Sequence, residues 1–238
     1  MSETLLVGFP MARHSARVHL VTPAMVEQAV ARRGVEGILT VTERAMLDTL
    51  RVERRRRDWL AGRLAAKRGL RAACRRRGQA VPAYTAIEIR NDRRGAPRFG
   101  IAERPDLDER LDISIAHSQG TAVAAVVDRL ASGTVGVDVE VTTPLSIELL
   151  QRVLRPVEIA RLDARSTAAP TPLEMWTAKE AAMKAARDLC DALRDVELSW
   201  TPRRTMRARI AGAGVPAHSI LVRHRTAGPY TIALAICR

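Results

Sequence analysis

Lysine is nearly missing from this basic chain. Of 39 Lys+Arg residues only Lys67, Lys179 and Lys184 are lysines, which leaves 39 − 3 = 36 arginines. A blanket preference for arginine reflects coding composition, so the net charge of +13 is weak support for a nucleic-acid partner. Aromatic residues make up 3% of the chain, leaving few platforms on which bases could stack. Three cysteines, Cys74, Cys190 and Cys237, are odd in number and widely spaced. They argue against a disulfide framework or a zinc site and fit a reducing cytoplasm. No apolar run approaches the roughly 20 residues of a membrane span. Met1 to Met11 carries no basic stretch followed by an apolar one, as a secretory signal would.

What is present is the composition of a globular chain, 47% hydrophobic and 27% charged. A length of 238 residues admits one large domain or two, each able to bury a core. Apolar runs in residues 1–22 read as strand or coil. A helical pattern covers about Thr42 to Arg77, and a strand Ala86–Arg90 follows. Leu111–Ile115 and Thr121–Val127 read as strands around a turn at Ser118-Gln119-Gly120. After a polar connection, Thr134–Val141 is a strand, Ser146–Ala164 is helical, and a second helix runs from Leu173 to about Leu193. The tail supplies strands near Val196–Thr201, Ile220–His224 and Tyr230–Ile236. The fold class is α+β in two pieces, 1–130 and 131–238.

Three segments could carry chemistry. In Thr134–Val141 valines hold every odd position and bury one face, while Gly136, Asp138 and Glu140 share the other. Carboxylates at i and i+2 converge within reach of one hard cation, with Gly136 leaving room for a bulky ligand; a solvated edge strand is the plain alternative. In Trp176–Ala185, Glu180 and Lys184 are i, i+4 on one helix face. Two lysines that escaped the arginine preference fit a crowded polar site, against the alternative of a surface ion pair. In Asp112–Gly120, His117 closes a strand where its side chain and turn amides could hold a phosphate. Beside these, Arg63, Lys67 and Arg71 form a cationic stripe at i, i+4, i+8, for which a solvated face is the plain reading.

Taken in order, Ser114-Ile115-Ala116-His117-Ser118, then Gly136-Val137-Asp138-Val139-Glu140, then Trp176-Thr177-Ala178-Lys179-Glu180-Ala181, the motifs resemble the 4′-phosphopantetheinyl transferases of the surfactin-synthetase-activating type. Glu53 to Leu70 is similar to that family's basic helix, and Thr143 through Leu162 to the segment after its metal strand. The resemblance runs from about Leu39 onward. It implies a pseudo-dimer of two similar α+β halves with the active site in the cleft between them, and a single chain that suffices as a monomer. It implies Mg²⁺ (or Mn²⁺) held by Asp138, Glu140 and Glu180, with Glu180 also the general base. It implies Lys184 at the transferring or leaving phosphate, Lys179 nearby as a phosphate or structural partner, and His117, Ser118, Arg63, Lys67 and Arg98 on the coenzyme A side. The reaction so implied moves 4′-phosphopantetheine from coenzyme A to a serine of an apo acyl or peptidyl carrier protein, an acidic partner, in the cytoplasm.

The chain departs from the family pattern at Ala96, where a basic residue is common, at Ala116, and after Lys184, where a glycine turn is common. Two other readings use the same residues: a non-catalytic relative that binds coenzyme A or carrier, and a nucleic-acid binder that lays the Arg54–Arg71 helix on phosphates.

Overall fold

Alternating apolar residues at the start of the chain form β1 (Leu5–Pro10) and β2 (Ser15–Val21), paired antiparallel. The protein, seen in a computed structural model, is described over residues 5–10, 15–102, 104–163, 169–190, 192–201, 205–210 and 219–238. It divides into two compact units, Met1–Ala131 and Ser132–Arg238.

In the first unit Thr22 caps α1 (Pro23–Arg33), with Pro23 at the position where a missing N–H costs nothing. Thr40 and Glu43 close a reciprocal capping box on α2 (Val41–Thr49), followed by the long α3 (Glu53–Arg76). The sequence pattern reads α2 and α3 as one helix, but the chain breaks at Leu50–Val52. There Arg56 Nη1 donates to the carbonyls of Leu47 (2.5 Å) and Leu50 (3.4 Å) that end α2, the first of which also accepts from Leu50 N (3.1 Å). Then come β3 (Ile87–Asn91), β4 (Pro97–Ile101), α4 (Pro105–Arg110), β5 (Leu111–Ser118) and β6 (Thr121–Asp128). The main sheet has the order β1-β2-β6-β5, and β3-β4 is a separate ribbon. α3 packs on β6, β5 and β2. At the closest approach, a Cβ on Gly69 would lie 2.8 Å from Val126 Cγ2.

A short helix, α5 (Arg129–Ser132), leads into the second unit. Its first strand, β7 (Thr134–Val141), has the bounds its valines predict. Helices α6 (Ile147–Val153) and α7 (Pro156–Asp163) replace the single helix read from sequence, because Leu154 is extended and Pro156 opens a new helix. Thr171 and Glu174 make a second capping box, on α8 (Pro172–Ala186). That helix stops short of Leu193: Arg187, at φ 54°, turns the chain where a glycine is usual. β8 (Val196–Trp200), β9 (Met206–Ile210), β10 (Ser219–Ala227) and β11 (Tyr230–Cys237) complete a sheet of order β7-β11-β10-β9-β8. β4 and β9 are strands that the sequence reading leaves out. Each unit has its own core, under α3 in the first and under α8 in the second.

Candidate active site

Helix α8 lies along β7, and the residues of one of its faces meet the strand in order. Trp176 Nε1 donates to Glu140 Oε1 (3.3 Å), Lys184 Nζ lies 2.6 Å from Asp138 Oδ1 and 3.8 Å from Glu180 Oε2, and Thr134 Oγ1 donates to the Ala185 carbonyl (2.7 Å). Trp176, Glu180 and Lys184 are i, i+4, i+8 and therefore share that face. Gly136 does not leave room for a ligand, as the sequence reading has it. A Cβ there would fall 1.9 Å from the Ala181 carbonyl oxygen, so the glycine is what lets the helix backbone touch the strand.

This contact buries Asp138 almost completely while Glu180 and Lys184 stay partly open. Burial pushes the Asp138 carboxyl up to about 7; Lys184 opposes the shift, and Glu180 and Glu140 add to it. Asp138 Oδ2 is buried and has no hydrogen-bond partner. A bare carboxylate oxygen flanked by two more carboxylates is a donor set suited to a hard divalent cation. Among the described residues no group of three or more acidic, His or Cys side chains is drawn close enough to hold a metal ion. Lys184 holds the other Asp138 oxygen.

In the first unit, His117 is the penultimate residue of β5, before a hairpin turn whose Gln119 and Gly120 have φ 50° and 82°. The sequence reading omits the residue that fixes this turn. Asp58, buried on α3, accepts from Gly120 N (2.7 Å) through Oδ1, and its Oδ2 lies 3.8 Å from His117 Nδ1. A cleft of about 440 Å³ beside the turn is lined by Pro23, Arg54, Arg57, Gln119 and Gly120. His117 is exposed and Ser118 half-buried.

The remaining residues expected on the coenzyme side lie elsewhere. Lys67 is fully buried and donates to Glu43 Oε2 (2.5 Å) and to the carbonyls of Ile38 (2.9 Å) and Tyr84 (3.0 Å). Lys179 is equally buried, on Glu158 Oε2 (2.7 Å) and the carbonyls of Val196 (2.6 Å) and Leu193 (3.4 Å). Both ammonium groups are spent on internal partners: Lys179 takes the structural one of its two expected roles, and Lys67 does not face a ligand as expected. Arg63 is buried too: it stacks on Trp59 (4.5 Å to the ring centroid) and reaches Asn91 Oδ1 (3.5 Å), and burial lowers its pKa. Arg71 donates to the Pro82 carbonyl and stacks on Tyr84. The Arg63–Lys67–Arg71 stripe is therefore an inward-facing set of ties, not a solvated or ligand-facing one. Arg98 is exposed on the β3–β4 ribbon and pairs with Asp92 (3.2 Å).

The site is thus an acidic strand of an antiparallel sheet with a helix carrying Glu and Lys laid against it, in an α+β protein. Residues 134–235 match the 4′-phosphopantetheinyl transferase superfamily. A holo-[acyl-carrier-protein] synthase of Halalkalibacterium halodurans is 36% identical over 101 residues, 42% of this chain and 81% of that protein. One of Lactococcus lactis is 34% identical over 43% of this chain and 85% of its own length. The chain belongs to the 4′-phosphopantetheinyl transferase superfamily. Among solved structures, a Bacillus anthracis holo-(acyl-carrier-protein) synthase in complex with CoA (3′,5′-ADP) aligns at 28% identity with a TM-score of 0.38, over 52% of this chain and 96% of that one. A Helicobacter pylori counterpart in complex with coenzyme A aligns at 22% identity and a TM-score of 0.36, over 47% and 96%. No helix among the described residues is long and apolar enough to cross a membrane.

Proposed function

We propose that this chain transfers the 4′-phosphopantetheine arm of coenzyme A to a serine of an apo acyl or peptidyl carrier protein and releases 3′,5′-ADP. The observation that carries the reading is the bare, buried Asp138 Oδ2 beside Lys184, with Glu140 and Glu180 flanking, inside the stretch that matches the family. Asp138, Glu140 and Glu180 would hold Mg²⁺, and the same oxygens suit Mn²⁺. The bound ion supplies positive charge for the pyrophosphate of coenzyme A.

The side chains do the rest. Glu180, partly open, takes the proton from the carrier serine hydroxyl. The serine oxygen bonds to the β-phosphorus as the bond from that phosphorus to the bridging oxygen breaks, and 3′,5′-ADP leaves with the electron pair. Lys184, held between Asp138 and Glu180, places its charge at the transferring phosphate. His117 and Ser118, beside the Arg54 and Arg57 cleft, receive the nucleotide's phosphate. A net charge of +13 attracts both coenzyme A and an acidic carrier.

The chain belongs, in this reading, to the two-half type, active as a monomer in the cytoplasm. Apart from β1 and the short α4 of the first unit, each unit runs strand, three helices with the last one longest, then four strands: β2, α1–α3, β3–β6, and β7, α6–α8, β8–β11. Each long helix carries a buried lysine tied to a buried glutamate. Each glutamate in turn accepts a strand N–H, from Ile89 to Glu43 (2.9 Å) and from Leu198 to Glu158 (2.7 Å). Incubation with apo carrier protein, coenzyme A and Mg²⁺, followed by intact mass, tests the function. The expected result is one phosphopantetheine added, lost in Glu180→Ala; no mass gain across acyl and peptidyl carriers refutes it.

A further inference from the structure

Helix α8 meets its sheet through methyl groups. Ala178, Ala181, Ala182 and Ala185 are buried to 1% exposure or less and share a core with Ala233 and Ala235 of β11. Such low ridges let helix and sheet approach closely but give little to oppose a roll of the helix about its axis. The site is sensitive to such a roll. On a helix about 10–12 Å across, turning by about 10° carries a side-chain head through about 1 Å. At a reacting group a shift of that size can cost about a hundredfold in rate. Trp176, Glu180 and Lys184 share one flank of α8, so a hold on a different side is what fixes the rotation.

Glu174 provides that hold. It lies on the buried underside of the helix, about 80°, 120° and 160° around from Lys184, Glu180 and Trp176. Its Oε2 accepts from Thr171 N (2.7 Å) in the capping box, and its Oε1 lies 2.9 Å from His224 Nε2 on β10. A carboxylate oxygen accepts, so Nε2 is the donor. Both side chains are nearly shut off from solvent, where such a tie is strongest. The strand register links this tie to the site. His224 pairs with Ala233, and Ala233 with Asp138, so one row across β10, β11 and β7 points all three side chains at α8. Two strand spacings, about 10 Å, separate His224 from Asp138. The helix therefore grips both ends of one row, Lys184 on Asp138 (2.6 Å) and Glu174 on His224.

We propose that His224 is a positioning residue for the transfer reaction. Through Glu174 it fixes the rotation of α8, and so the placement of Glu180 and Lys184 against Asp138 and of Trp176 against Glu140. This role rests on the carrier-modifying reaction proposed above. His224 acts on the site only through the helix. What it contributes is the Nε2–H, which a glutamine amide can supply and a leucine cannot.

The test uses the full chain with an apo carrier protein, coenzyme A and Mg²⁺. The indole ¹⁵N–¹H signal of Trp176, assigned by its loss in Trp176→Phe, is followed by NMR on the same proteins. His224→Leu should lower kcat at saturating coenzyme A and Mg²⁺ by about fivefold or more, change the KM for coenzyme A less than twofold, and shift the Trp176 indole signal. His224→Gln should restore that signal and at least half of the unmutated kcat. Glu174→Gln keeps the helix cap but loosens the hold on His224. It should move kcat and the indole signal in the same direction, and it serves if His224→Leu does not fold. Each variant is assayed where urea titration shows it fully folded, so that lost stability does not pass for lost positioning. A fall in kcat of less than fivefold in His224→Leu, an indole signal that stays in place, or a His224→Gln variant as slow as His224→Leu overturns the proposal. The two readings fail separately: an unmutated chain that modifies no carrier refutes the reaction, while the indole signal still reports whether His224 sets the rotation of α8.

Discussion

Lys184 Nζ binds one oxygen of Asp138 at 2.6 Å, and the other oxygen of the same buried carboxylate is bare. Removing the ammonium alone leaves Asp138 unpaired between Glu140 and Glu180. We expect Lys184→Met to lower unfolding free energy by about 1–3 kcal/mol. Adding Asp138→Asn should restore more than half of that loss, since the stranded charge is then gone. Urea unfolding of the four proteins of this cycle decides it; additive losses would contradict the pairing.

Trp176 acts on the site through Glu140. The indole N–H is one of the groups that orient the Glu140 carboxylate, so Trp176→Phe should raise the Mg²⁺ concentration for half-maximal carrier modification by about tenfold, with kcat at saturating metal reduced less. In the unmutated chain, tryptophan fluorescence should change on Mg²⁺ addition. A Trp176→Phe variant that keeps the whole of that change would show that Trp59 or Trp200 reports it instead.

The buried lysines predict a contrast. Lys179→Met and Lys67→Met should each cost about 3–5 kcal/mol, because each leaves a buried glutamate without its counter-ion. The KM for coenzyme A, measured below the melting temperature, should move less than twofold in both. A tenfold rise in KM without loss of stability would return these residues to the ligand.

Gly136→Ala forces a methyl group against the Ala181 carbonyl and the Ala185 amide, with α8 unable to yield locally because both atoms are backbone. We expect a stability loss of about 2–3 kcal/mol and a fall in carrier modification of a hundredfold or more. Near-normal activity would mean that the helix can stand off the strand.

His19 sets an acid limit. Its folded-state pKa of about 4 lies below the ordinary 6.5, so the unfolded chain takes up this proton first. The contribution is complete above pH 6.5 and is lost as pH falls toward 4, by up to about 3 kcal/mol at 1.4 kcal/mol per unit. In phosphate-free buffer, His19→Gln should flatten the stability profile over that window. Parallel profiles would show that other groups dominate it.

Much of this was legible from residue order, and the failures have a common cause. The valine alternation located β7, since a period of two on a half-buried strand has one solution. Helical spacing grouped Arg63, Lys67 and Arg71 correctly but could not tell which side of α3 was inside. That depended on Glu43 and Tyr84, distant in sequence. The Thr40–Glu43 capping pattern was a usable sign that the helix begins earlier than Thr42, and that Glu43 is more than a surface charge. β9 was within reach as well, since Met206, Ala208 and Ile210 alternate with two arginines. Asp58 was not: its partner is a turn amide brought in by β5 and β6, and no local pattern announces it.

β7 is the first strand of its unit, and its one neighbour in the sheet is the last strand, β11. During synthesis the valine-rich segment therefore leaves the ribosome long before Tyr230–Cys237 exists to pair with it. Until then it is an open apolar edge, the kind of segment that recruits chaperones or associates with other nascent chains. The acidic strand can be set in place only when translation has reached the final hairpin. A chain stalled between Glu180 and Tyr230 would carry Asp138, Glu140 and Glu180, the carboxylates proposed to hold the metal, without the strand that β7 pairs with.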